Sequence, residues 1–179
     1  MTRSARLRAW AENLYATYAP AVAELVGARE IPPIAVFVSR TGLHGAAWTE
    51  GNQIFLSATW FNQHPEDVGA CLHEFTHAIM KAPDYDATTG WLIEGIADYV
   101  RDVMGFDASW TRAYYERGKA LAGYQTTAHF LAWLEGQHPG TVRTIAAKLS
   151  VGTYTDEAFE ELCGEPLPRL VARYEESQE

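Results

Sequence analysis

The chain is predicted to fold in the α+β class, a small sheet followed by helices, and three observations predict this. The β-rich runs lie together between residues 34 and 57, whereas helical periodicity dominates after residue 65. Hydrophobic residues make up 47% of the 179, enough for a real core. No internal repeat or low-complexity linker divides the chain, so residues 1–179 are expected to form a single domain.

The elements follow in order. Arg6 to Leu25 has the pattern of an amphipathic helix within residues 3–27, with a bend expected near Pro20. Pro32-Pro33 leads into Ile34-Ala35-Val36-Phe37-Val38, a strand by its β-branched and aromatic content. Ala46-Ala47-Trp48-Thr49 and Gln53-Ile54-Phe55-Leu56-Ser57 flank Glu50-Gly51-Asn52, which reads as a hairpin turn. The 46–50 strand is then a sheet edge on which an extended substrate can dock. A helix is expected over 65–81, with proline at its first position, carboxylates in its first turn and Pro83 just past its end. Val68, Cys71, Leu72, Phe75, Ala78 and Ile79 form its apolar face. Further helices are expected over 91–104, stopped by Gly105, and over 108–121, 124–136, 140–149, 155–163 and 167–177.

Charge narrows the partners. The formal net charge is -9 and the sequence pI is near 5.1. An acidic balance without a Lys/Arg run argues against nucleic acid or an anionic membrane as partner. No segment is long and apolar enough to span a bilayer. Arg3, Arg6 and Arg8 are followed by Ala9-Trp10-Ala11-Glu12 with no apolar stretch of leader length, so no secretory leader is expected in the chain as written. Two cysteines, Cys71 and Cys163, make no disulfide framework, and Cys71 on an apolar helix face reads as a free buried thiol.

Chemistry concentrates in two of the helices. His73-Glu74-Phe75-Thr76-His77 places two imidazoles one turn apart on one helical face, close enough to grip a single ion. Glu74, beside the first histidine, is placed to activate water at the metal rather than to bind the metal. The bland reading is a pair of ordinary hydrogen-bonded histidines. Trp91 to Val100 weighs against it. That run is apolar except for Glu94 and Asp98, again at i and i+4 on one face. A solvated carboxylate face does not suit neighbours such as Ile93, Ile96 and Val100, and burying the two acids without a partner is costly. A divalent cation removes the objection, with Glu94 as a ligand and Asp98 accepting a hydrogen bond from the far nitrogen of a ligating histidine. Gly95 costs roughly 1 kcal/mol against alanine in a helix, but it lets another backbone approach beside the ligand. His73, His77 and Glu94 with an open fourth position make the pattern of a catalytic zinc site. One zinc ion per chain is expected.

HExxH followed by an E-x-x-x-D helix resembles the gluzincin class of zinc peptidases. The longer string from Trp91 to Arg101 resembles the basic-secretory-protein family of plants and bacteria. The segment Gly123 to Leu131 and the run from Cys163-Gly164 to Tyr174 add to the likeness, which spans roughly residues 52–176. The resemblance implies a zincin-like metallopeptidase domain with the ligands named above and a peptide or protein substrate. It also implies a neutral donor for the carbonyl oxygen, since related sequences carry a tyrosine where Tyr124 opens the 124–136 helix. A core tyrosine with a satisfied hydroxyl is the plain alternative. His129, on the same helix, is the weaker candidate. His44, His64 and His138 fall in loops and receive no role. The chain departs from the family in its acidic balance, in the missing leader, and in the connector Lys81 to Gly90, which lacks a tryptophan- and glycine-rich stretch.

The expected chemistry is hydrolysis of a peptide bond, with Glu74 as general base and then acid. Three rivals stand beside it. One is a zincin-shaped protein that binds metal without turnover. Another is a di-iron carboxylate protein, since Glu74-Phe75-Thr76-His77 is also E-x-x-H, but the required second copy is missing from the sequence. The third exchanges Glu94 for Asp98 as the third ligand.

Overall fold

The computed structural model describes residues 2–40, 45–83, 85–106 and 112–179. Among these it is α+β, with eight helices and one three-stranded sheet. Helix α1 (Arg3–Leu25) opens where Thr2 accepts a hydrogen bond from the Ala5 amide, and it continues through Pro20. Strands β1 (Ala35–Ser39), β2 (Ala47–Glu50) and β3 (Gln53–Ser57) form a sheet in the order β1-β3-β2. The β2–β3 pair is the expected hairpin, antiparallel, whereas β1 runs parallel to β3. Alternation sorts the side chains. Val36, Ile54 and Leu56 are buried on one face, while Phe37, Phe55 and Trp48 stack in a row across the other. Strand β2 pairs with β3 alone, so it is a sheet edge.

Helix α2 (Ala58–Gln63) was not expected, because six residues give too short a window for periodicity to register. Ser57 caps it by accepting from the Trp60 amide. Helix α3 (Val68–Met80) begins three residues later than the proline at 65 suggests. Asp67 is the cap, its Oδ1 accepting from the Ala70 amide at 3.0 Å. The helix ends at Lys81, which takes the left-handed conformation (φ 49°). Helix α4 (Gly90–Val103) follows, and Gly105 beyond it has φ 74°.

The helix expected over 108–121 is a correction. Residues 108–111 lie outside the described residues, as does His44, and residues 112–121 contain turns rather than a helix. Tertiary hydrogen bonds replace helical ones there. The Tyr115 hydroxyl donates to Glu175 Oε2 at 2.7 Å, and the Gly118 amide donates to Oε1 of the same residue at 3.0 Å. Helices α5 (Tyr124–Gln137), α6 (Thr141–Ser150), α7 (Glu157–Cys163) and α8 (Leu167–Glu176) follow the sequence expectation within two residues at each end.

The core runs continuously from α1 through the inner sheet face to α3, α4, α5, α6 and α8. Helix α3 lies at its centre, packed against α1 on one side and α4 on the other, with α5 behind α4. At Gly95 the approach of α5 is so close that a Cβ would lie 2.6 Å from Cβ of Thr127. The close neighbour is that side chain, not the backbone expected from the sequence. No described helix is long and apolar enough to cross a membrane.

Candidate metal centre

Helices α3 and α4 are amphipathic towards each other, so burying their apolar faces brings the polar exceptions of both to one seam. His73, Glu74, Glu94 and Asp98 are all buried there. His73 Nδ1 lies 2.7 Å from Asp98 Oδ1, which puts the proton of the neutral ring on that nitrogen. Its Nε2 then presents a lone pair, 3.0 Å from Glu94 Oε2 and 3.0 Å from His77 Nε2. His77 Nε2 is 3.6 Å from the same carboxylate oxygen. One ligand atom from each of His73, His77 and Glu94 thus falls within 4.8 Å of the others.

This donor set fits a cation. If one ring keeps a proton at Nε2, that single donor faces two acceptors, in a place where desolvation makes unpaired lone pairs costly. A divalent ion among them would serve all three. Without a metal, the surrounding carboxylates favour a positive charge on the ring instead. Burial alone would lower the pKa of His73, but its bonds to Asp98 and Glu94 more than offset this and push it up to about 10. Burial would raise the Glu94 carboxyl, yet the two histidines hold it well below the usual carboxylate range. Asp98 stands on the opposite nitrogen of the His73 ring from Glu94, so it is not among the three converging groups.

The group opens into a cleft of about 850 Å³ between α3, β2 and the start of α5. Glu74 lines it, with its Oε2 accepting from Thr49 Oγ1 at 2.7 Å. Tyr124 is half-exposed and also lines the cleft, its ring parallel to that of His73 with centroids 6.1 Å apart. Its backbone has φ 49°, a conformation that costs a residue with a Cβ about 1 kcal/mol or more. Gly123 (φ 90°) precedes it and passes 3.7 Å from Cβ of Glu94 when given a Cβ of its own. The turn thus packs against α4 at Glu94 just before Tyr124 enters the cleft lining. Burial, then the negative charge of Glu94, raises the pKa of its phenol and keeps the proton on.

His129 is elsewhere, its Nδ1 2.7 Å from the Tyr174 hydroxyl between α5 and α8. Three contributors escaped the sequence reading. Tyr85, in the connector, donates to Glu94 Oε1 at 2.6 Å; an aromatic in an irregular loop gives no periodic signal. Thr49 was legible in principle, because strand alternation puts it on the same face as the buried Ile54 with which it pairs. Arg101, quoted only as part of a motif, is buried and lies 3.2 Å from Asp98 Oδ1.

The sequence profile of a family described as peptidase of plants and bacteria matches residues 4–174. Neither the curated proteins nor the solved structures hold a match. The profile extends over both metal-seam helices and over Tyr124, and nearly to the end of the chain: the protein belongs to this family of plant and bacterial peptidases, the one its Trp91–Arg101 helix resembles.

Proposed function

We propose that the protein is a zinc-dependent peptidase that cleaves peptide bonds with Glu74 as general base. The observation that carries this is the convergence of His73, His77 and Glu94 in a cleft that also holds Glu74. Two imidazoles, one carboxylate and no sulfur suit a catalytic rather than a structural zinc ion. Zinc held there would acidify water towards neutral pH and polarise the carbonyl of a bound peptide.

The chain's own residues do the rest. Glu74 takes the proton of the attacking water and later delivers it to the leaving amine, so it returns to its starting state. Thr49 holds one oxygen of that carboxylate and leaves the other to the reaction. Asp98 fixes the tautomer and the aim of His73. Tyr85 occupies the second oxygen of Glu94, leaving Oε2 to the histidine side. Tyr124 presents a neutral phenol in the cleft lining, where it can donate to the carbonyl oxygen as charge develops. The exposed edge of β2 runs along the same cleft and suits an extended peptide.

The test is elemental analysis of protein purified without chelator, beside hydrolysis of dye-labelled casein and a quenched-peptide mixture. About one zinc per chain, lost in a His73→Ala, His77→Ala double variant, and hydrolysis lost in Glu74→Gln with its zinc retained, are the expected results. Zinc without turnover of any substrate would favour a metal-binding protein of the same shape. Two irons per chain would sink the reading.

A further inference from the structure

A buried polar chain leaves the metal seam on the side away from the cleft. Asp98 Oδ1 accepts a hydrogen bond from His73 Nδ1 at 2.7 Å and also lies 3.2 Å from Arg101 Nη1. The other arm of the same guanidinium, Nη2, is 3.9 Å from Asp67 Oδ1. Asp67 in turn caps α3, accepting from the Ala70 amide at 3.0 Å, and accepts from Trp60 Nε1 at 2.9 Å. Arg101 thus spans two carboxylates, one at the start of the helix that carries His73 and the other on the ring of His73 itself.

Stability alone does not account for this arginine. Its side chain is only 8% exposed, and its Nε and Nη2 have no hydrogen-bond partner among the described residues. A buried guanidinium with two nitrogens unmet is costly, and an apolar side chain of the same length would fill the space without that cost. Space is tight as well. A Cβ at Gly69 would lie 2.1 Å from the Phe106 carbonyl oxygen and 3.1 Å from each of Nε and Nη2. Glycine at that point of α3 is required by the Phe106 carbonyl, despite its poor helix propensity, and the guanidinium packs closely against the same spot.

We infer that Arg101 is a positioning residue for the metal centre: it locks the Asp98 carboxylate in place, and through it the ring of His73. The inference rests on the proposed metal site. Its physical basis is that Asp98 can aim the ring only if its own carboxylate cannot rotate. Arg101 pairs with it at 3.2 Å and brings its other arm within ion-pair range, 3.9 Å, of Asp67, the cap of α3.

The test is zinc affinity, read by competition with a chromophoric chelator, in a double-mutant cycle of Arg101→Met and Asp98→Asn. Each single variant is expected to bind zinc about 10-fold more weakly, the low end of what partners of ligating residues contribute. The double variant should be little weaker than Asp98→Asn alone, because Arg101 acts through Asp98. Additive losses, or an Arg101→Met protein with native affinity, overturn the inference. If Arg101→Met does not fold, Arg101→Lys decides instead. A single ammonium cannot span both carboxylates, so its affinity should fall several-fold, and native affinity would overturn the inference. Native protein that binds no zinc would overturn the metal reading itself, a separate outcome.

Discussion

Oγ1 of Thr49 lies 2.7 Å from Oε2 of Glu74, so the edge strand of the sheet holds the carboxylate that the two histidines flank. The contact joins a strand that lines the cleft to the proposed general base. A hydrogen bond to a charged group contributes roughly 1.5–3 kcal/mol, and most of that would be felt as a barrier if Glu74 lost its orientation. Thr49→Val, which keeps the shape and removes the donor, should lower kcat about 10- to 100-fold with zinc content unchanged. Thr49→Ser should restore most of it. Equal rates for the valine and native proteins on quenched peptides would rule the contact out as a catalytic one.

Two tyrosines border the metal centre, and their geometry gives them different work. Tyr85 donates to Glu94, a prospective ligand, at 2.6 Å, whereas Tyr124, also near Glu94, is half-exposed in the cleft with its ring parallel to His73. Burial, reinforced by Glu94, raises the pKa of both phenols, so both keep their protons at neutral pH. Tyr124→Phe should cut kcat by about 100-fold, the scale of a lost oxyanion donor, without changing zinc affinity. Tyr85→Phe should instead weaken zinc by about 10-fold and alter kcat little once zinc is saturating. Steady-state rates at saturating zinc, beside chelator competition, separate the two. The opposite pattern would exchange their roles.

Much of this centre was legible because it obeys a period. His73, His77, Glu94 and Asp98 each recur at i+4, and a helix converts that spacing into a shared face whatever surrounds it. The order of small sheet and helices was legible for the same reason. Tyr85 and Arg101 were not, since their roles depend on which loop and which helix start lie across from α4, and no local spacing encodes that. The segment 112–121 misled in the other direction. Its composition permits a helix, but Glu175, some sixty residues away, takes hydrogen bonds from Tyr115 and Gly118 in a turn.

Protonation should compete with metal. The folded-state pKa of His73 is raised from 6.5 to about 10, so its stabilising contribution to the metal-free fold is full below 6.5 and is lost as pH rises through about 10. The melting temperature of the metal-free chain should therefore fall between about pH 7 and pH 10, and zinc should flatten that fall. Zinc uptake near pH 8 should release about one proton, measurable by calorimetry in buffers of different ionisation enthalpy. Metal-free protein equally stable at both ends of the range would contradict the shift assigned to His73.

The junction of α4 and α5 gives the sharpest packing test. A Cβ on Gly95 would lie 2.6 Å from Cβ of Thr127 and closer still to its Cγ2. Thr127 cannot easily turn away. Its hydroxyl accepts from the Gly123 amide at 2.9 Å and donates to Ala120 O at 2.8 Å, and Gly123 is the residue that sets the turn into Tyr124. Gly95→Ala is therefore expected to cost about 1–3 kcal/mol despite the better helix propensity of alanine, because the side chain overpacks the seam. Thr127→Ser removes the methyl and keeps both hydrogen bonds, so the double variant should recover at least half of the loss by urea denaturation. The same strain should reach the cleft. Gly95→Ala alone should disturb Tyr124 and lower kcat, and the serine partner should restore it together with stability. If stability returned in the double variant while kcat stayed low, the link from Gly95 through Thr127 and Gly123 to Tyr124 would be broken.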